Sequence, residues 1–251
     1  MIGVMHIKKS VFHPITANNA SFLSSKIAVG ESFEPLIKIE GQHPRIFAKP
    51  IYHQQKIPNS LQVIYVREGV YERLQEALSV LPKIYSLVLY DGYRPFQVQQ
   101  YLFTHFTQEV AQRFPHLSEQ EIDSETRRYV AFPSLDCAHL VPHLTGGAVD
   151  ITLGDINGHA LNLGTAFDEI SAKSTTRYFE QFPNENHKAC TYRRLLYNCM
   201  TMAGFTNYSE EWWYYDYNNI AWARRVQAQS ASYGAVQAVI HNHYVKEFNF
   251  I

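Results

Sequence analysis

The chain has 251 residues, of which 46% are hydrophobic and 18% charged, with a formal net charge of −1. This length accommodates one large globular domain. The near-neutral balance provides no long-range field to attract nucleic acid or an anionic membrane, so neither is an expected partner. The three cysteines, Cys137, Cys190 and Cys199, are odd in number and lack C-x-x-C spacing, which argues against a disulfide framework and for a reducing compartment. Lys8 and Lys9 lie in Met1–Ser10 with no apolar stretch after them, and no run approaches the roughly 20 apolar residues that span a bilayer. A soluble, cytoplasmic protein is expected.

No repeat, low-complexity tract or Gly/Ser linker divides the chain, so residues 1–251 are read as a single domain. Residues 1–60 carry scattered Pro, His and Asn and read as short strands and loops wrapped on the main body. From Glu68, the spacing of Val70, Leu74, Leu78 and Leu81 predicts a helix that Pro82 stops. Ile84 to Tyr90 is short, apolar and rich in β-formers, as in a buried strand. Asp91-Gly92-Tyr93-Arg94-Pro95 then breaks the chain in a turn, with Pro95 suited to the first position of a helix from about Phe96 to Phe114.

Ser118 and Glu121 match a capping box opening a helix toward Ala131. Ala148 to Leu153 reads as a strand, and Arg193 to Met202 as a helix ended by Gly204. Glu211 to Tyr217 reads as an aromatic-rich strand, with a further helix near Trp222. Tyr233 to Val245 fits either strand or helix. Helices and strands mix without βαβ alternation, which predicts an α+β fold with a central antiparallel or mixed sheet flanked by helices.

Two segments carry chemistry. In His143-Leu144-Thr145-Gly146-Gly147-Ala148-Val149-Asp150, imidazole and carboxylate are both good zinc ligands and must approach one ion to about 2.0–2.2 Å. Seven residues of straight helix would separate them by about 10 Å, and of straight strand by about 23 Å on opposite faces. The glycines permit a reversal that brings His143 toward Asp150, although a plain hairpin would look the same. In Glu210-Glu211-Trp212-Trp213-Tyr214-Tyr215-Asp216-Tyr217, a carboxylate beside apolar rings has the character of a general base with raised pKa; the alternative is a solvated Glu beside core aromatics. Glu211 and Tyr214 reach one site only if the strand begins or bulges there.

His143-x-x-Gly146-x-Ala148-x-Asp150, Glu211-Trp212-Trp213 and Asp91-Gly92-Tyr93-Arg94-Pro95 together resemble the zinc D-Ala-D-Ala dipeptidases of peptidase family M15, the family related to vancomycin-resistance enzymes. Gly164-Thr165-x-Phe167-Asp168 and Arg193-Arg194-Leu195-Leu196 through Ala203-Gly204-Phe205 look like the same family, and the match runs from about Tyr65 to Trp222. The resemblance implies a DD-peptidase/Hedgehog-like α+β fold and one Zn2+ ion on the central sheet. It also implies a small dipeptide as substrate, in peptidoglycan precursor metabolism. His143 and Asp150 match zinc ligands, and Glu211 the catalytic acid/base. Arg94 matches the group that stabilises the oxyanion, and Asp168 the acid that grips the substrate's free amine.

The sequence departs from the family in three places. Tyr214 stands where the family has its third zinc ligand, a His. Three readings follow: Tyr214 ligates as phenolate; His139, His159 or His187 substitutes; or the site holds metal weakly, as an inactive paralogue that binds a peptidoglycan-derived peptide. Val141 replaces a Ser that contacts substrate, and Asn218 stands where relatives often have Gly.

Overall fold

The computed structural model describes residues 11–17, 27–137 and 139–251. The reading of Met1–Ser10 lies outside the described residues. Short strands β1 (Ala28–Val29), β2 (Leu36–Lys38) and β3 (Ile46–Ala48) and a single turn of helix, α1 (Ile51–Gln54), precede β4 (Tyr65–Arg67). The stretch of residues 11–17 lies against the later helices, with Val11 and Ile15 buried and Asn198 donating to the carbonyls of Val11 and His13.

The helical period of Val70, Leu74 and Leu78 gives α2 (Glu68–Val80), whose apolar face is fully buried. The strand expected next is β5 (Tyr85–Asp91), followed by α3 (Phe96–Arg113) with Pro95 as its cap. The Ser118–Glu121 capping box opens α4 (Glu119–Tyr129). A 3-10 turn, Pro142–Thr145, leads into β6 (Ala148–Asp155). After α5 (Tyr178–Gln181), α6 (His187–Met202) begins six residues before the expected start, because the side chain of Asn186 caps it by accepting from the Ala189 N–H.

The aromatic strand is shorter than expected. Only Tyr214–Asp216 forms β8, paired with β6 on one side and β7 (Thr206–Asn207) on the other. The Glu211 N–H instead bonds to Tyr208 O in a turn, so Glu211 precedes the strand. After α7 (Ile220–Val226) and β9 (Ser230–Ala231), the ambiguous tail is a hairpin of β10 (Val236–His241) and β11 (Tyr244–Phe250).

The central sheet has the order β3-β5-β6-β8-β7 and is mixed: β3 and β5 are parallel, the other neighbours antiparallel. Side chains alternate between faces along a strand. Leu87, Leu89, Val149, Ile151 and Leu153 therefore form one apolar face, which shares a core with Leu74 of α2 and with Leu195, Leu196 and Cys199 of α6. The opposite face is left for polar groups, and the site is built there. Asn218 has φ 54°, a left-handed conformation that Asn tolerates.

Candidate active site

Three strands align one row of side chains. A register shift in β5 between Leu89 and Asp91 sets Asp91 opposite Asp150 of β6, and Asp150 is in turn opposite Tyr214 of β8. Directly opposed residues of antiparallel strands share a face, with Cβ atoms about 4.5–5.5 Å apart. The extra residue of a bulge is thus what brings a second carboxylate beside Asp150.

His143 reaches the same row from the 3-10 turn. Gly146 closes that turn with φ 71°, and a Cβ there would come within 2.9 Å of Leu36, so the reversal depends on glycine. Buried Arg67 supports it, its Nε donating to Thr145 O at 2.7 Å. The His143 ring is buried, and its Nδ1 lies 2.8 Å from Gly92 O, which fixes that nitrogen as the donor. Nε2 is left facing Asp150 Oδ2 at 3.4 Å.

Arg94 is buried at the centre of the cluster. Its Nε donates to Asp91 Oδ2 at 2.7 Å and its Nη1 to Gln99 Oε1 at 2.7 Å. Nη2 lies 3.3 Å from both Tyr52 OH and Asp150 Oδ2. Tyr52 OH donates to Asp168 Oδ2 at 3.0 Å, linking Arg94 to a residue on an exposed loop. Asp168 has φ 58°, an uncommon conformation for a residue other than glycine. The structure thus brings Arg94, His143, Asp150 and Asp168 into one connected cluster.

Glu211 lies in the turn before β8, three residues ahead of Tyr214, and the charges of Asp150 and Asp168 act on its carboxyl. Burial, then those two charges, push its carboxyl well above the ordinary range. Loss of solvation raises Asp168 as well, with Asp150 adding to it. Burial and the Arg94 charge oppose a charged His143, yet the Asp150 and Asp91 carboxylates outweigh them and raise its pKa. The site holds more acids than cations, which favours a proton or a metal ion among them.

Two buried atoms here have no hydrogen-bond partner: His143 Nε2 and Asp150 Oδ1. Buried polar atoms are seldom orphaned. Imidazole nitrogen and carboxylate oxygen are donors that zinc takes. Among the described residues, Asp91, His143 and Asp150 form a cluster whose donor atoms all lie within 4.8 Å of one another. The residues present fit a divalent cation.

Tyr214 does not offer its hydroxyl to this pair. The ring stacks edge-on to His143 with centroids 5.3 Å apart, and the hydroxyl donates to Asp216 Oδ1 at 3.0 Å. Burial, then the charge of Asp216, raise the phenol well above its ordinary pKa. The substituting histidines are elsewhere: His139 and His159 are exposed and pair with Asp136 and Asp155, and His187 begins α6 at the surface. Val141 packs in an apolar cluster with Leu140, Leu144, Ile220 and Ala235. Asp91, Tyr52 and Asp216 were not singled out from sequence as site residues; only the Asp91–Arg94 turn gave a local signal.

A family model described as D-ala-D-ala dipeptidase matches residues 38–232. The chain belongs to that family, an α+β group of peptidases. The D-alanyl-D-alanine dipeptidase of Synechocystis sp. is 31% identical over 176 residues, covering 63% of this chain and 71% of that protein. The Escherichia coli enzyme of the same name is 34% identical over 132 residues, covering 52% of this chain and 54% of its own. The Enterococcus faecium enzyme is 30% identical over 132 residues, covering 52% and 61%. The chain thus spans between about half and seven tenths of these relatives' lengths. Two solved structures are more distant: a Zn(II) complex of a mutant of the vancomycin resistance D,D-pentapeptidase VanY (TM-score 0.39, 18% identity, 64% of this chain and 76% of that one) and VanYB with D-Alanine-D-Alanine (TM-score 0.37, 19% identity, 67% and 82%). No helix among the described residues is long and apolar enough to cross a membrane.

Proposed function

We propose that this chain is a zinc-dependent dipeptidase that hydrolyses D-Ala-D-Ala or a similar small dipeptide, within peptidoglycan precursor metabolism. The observation that carries the reading is the pair of orphaned buried atoms, His143 Nε2 and Asp150 Oδ1, beside a buried arginine in a chain of this family. His143 and Asp150 would hold the ion. Bound zinc would supply Lewis acidity at the scissile carbonyl and lower the pKa of the attacking water.

The chain's own residues do the rest. Glu211, with its raised pKa, takes the water's proton and returns it to the leaving amine. Arg94 is held by Asp91 and Gln99 with its Nη2 edge turned to Asp150. From there its permanent charge faces the oxyanion without reorganising. Asp168, accessible on its loop and steadied by Tyr52, binds the substrate's free ammonium. The three cysteines are free, which suits a reducing, cytoplasmic setting.

A second reading is a zinc-poor paralogue that binds the same peptide without cleaving it. It is favoured by the Tyr214 hydroxyl, which turns to Asp216 instead of completing a ligand set. Release of free D-Ala separates the two. Zinc-loaded protein should cleave D-Ala-D-Ala and leave its N-acetylated form intact. Binding without cleavage would establish the second reading, and neither binding nor cleavage would refute both.

A further inference from the structure

We infer that the third protein donor to a cation at His143 and Asp150 is Asp91, on the side of Asp150 opposite Tyr214. The inference rests on the proposed zinc reading and adds a ligand that the family motifs do not provide.

The row Asp91–Asp150–Tyr214 gives Asp150 a neighbour on each side, from β5 and from β8. On the β8 side the phenol is committed. Its acceptor Asp216 is fully buried, takes a second hydrogen bond from Asn219 Nδ2 at 2.7 Å on the same oxygen, and pairs with Arg225 through the other. Turning Tyr214 toward the cation would strip a donor from a buried carboxylate.

The β5 side has no such lock. Asp91 meets Arg94 Nε through Oδ2, and a carboxylate has a second oxygen with which to meet a cation. Tetrahedral zinc bonds of about 2.0–2.2 Å set donors roughly 3.3–3.6 Å apart. His143 Nε2 and Asp150 Oδ2 already stand at 3.4 Å, and all three residues have donors within 4.8 Å. Asp91 is the remaining acidic member of that cluster, its Oδ2 3.7 Å from the other ring nitrogen of His143, Nδ1. Held by Arg94 Nε, Asp91 would then tie the buried guanidinium to the residues that hold the ion.

X-ray absorption at the zinc edge tests this directly, because imidazole scattering counts histidine ligands. Wild type should show one imidazole and Asp91→His two; one imidazole in a folded, zinc-loaded Asp91→His overturns the inference. Calorimetric zinc titration of chelator-treated protein gives the second measurement. Asp91→Asn should weaken binding by about tenfold or more, while Tyr214→Phe binds as wild type and zinc produces no ultraviolet signal of ionised tyrosine. Unchanged affinity in Asp91→Asn, a tenfold loss in Tyr214→Phe, or wild type that takes up no zinc would each refute it. Turnover enters none of these readouts. Zinc bound as described without hydrolysis would sink the proposed activity and leave this inference standing.

Discussion

His143 and the turn before α3 hold each other twice: His143 Nδ1 donates to Gly92 O at 2.8 Å, and the Arg94 N–H donates to His143 O at 3.1 Å. The imidazole and the guanidinium are therefore set by one backbone clasp, joining segments about fifty residues apart in sequence. The first of these bonds fixes the tautomer and turns Nε2 toward Asp150.

Arg94→Lys should test the guanidinium's part in the reaction. A lysine keeps one positive charge but cannot reach Asp91, Gln99 and Tyr52 together. Removing one oxyanion donor lowers turnover by roughly 10²–10³-fold. The lysine variant should fold and bind zinc while kcat falls by about that much. Arg94→Ala should also unfold more readily, because Asp91 and Asp150 lose a buried partner, a change that costs about 3–5 kcal/mol. Steady-state kinetics and urea unfolding measure the two effects.

Asp168 and Tyr52 should act on substrate binding. A charge-assisted hydrogen bond contributes about 1.5–3 kcal/mol, so Asp168→Asn should raise KM for D-Ala-D-Ala by roughly ten- to a hundredfold. Tyr52→Phe removes the hydroxyl between Arg94 and Asp168 and should raise KM by roughly fivefold, with a smaller change in kcat.

The pH dependence of stability should show most clearly at Glu180. Burial alone would raise this carboxyl, but the two hydrogen bonds from Arg194 and one from the Ile15 N–H hold it below its ordinary value of 4.5. A carboxylate depressed in the folded state stabilises the fold above its unfolded pKa. That stabilisation is lost as pH falls through the folded value. Glu180→Gln should therefore cost about 1–3 kcal/mol at pH 7. The difference from wild type should shrink as the pH drops below 4.5, as read by urea melts across that range.

How much of this was legible in the sequence depended on local signals. The period of Val70, Leu74 and Leu78 and the Ser118–Glu121 box report on neighbours within a turn or two, and the helices they mark are where they were expected. β8 was overextended because Trp212 through Tyr217 offers no polar alternation to show where pairing starts. The terminal hairpin was ambiguous because its turn uses Asn242 and His243 with φ of 50° and 65°, in place of an Asn-Gly pair. In the site, His143 and Asp150 were visible through the glycines between them. Asp91 was not singled out as a possible ligand, because a register shift in β5 creates its position. Asp216, which accepts from Tyr214, is also paired with Arg225, which arrives from a later helix.

The hairpin gives a further prediction. Tyr93, one residue before Arg94, donates to Val236 O and accepts from the Ala238 N–H, both at 3.0 Å, and its ring packs edge-on to Phe248. His243 Nδ1 meets Ser60 O at 2.9 Å. Tyr93→Phe leaves the Val236 and Ala238 backbone groups without their partner and should cost about 1–3 kcal/mol. Hydrogen exchange should rise in residues 236–250 before the central sheet is affected.

The central claim is that a metal site on the polar face of the sheet cleaves D-Ala-D-Ala with Glu211 moving the proton. The decisive measurement is single-turnover release of D-Ala by zinc-loaded wild type and Glu211→Gln, with zinc content determined on the same samples. Rapid cleavage by wild type, with loss of roughly 10²–10⁴-fold in the variant at equal zinc content, is the predicted result. Equal rates in the two proteins, or no cleavage by wild type carrying one zinc per chain, would contradict it.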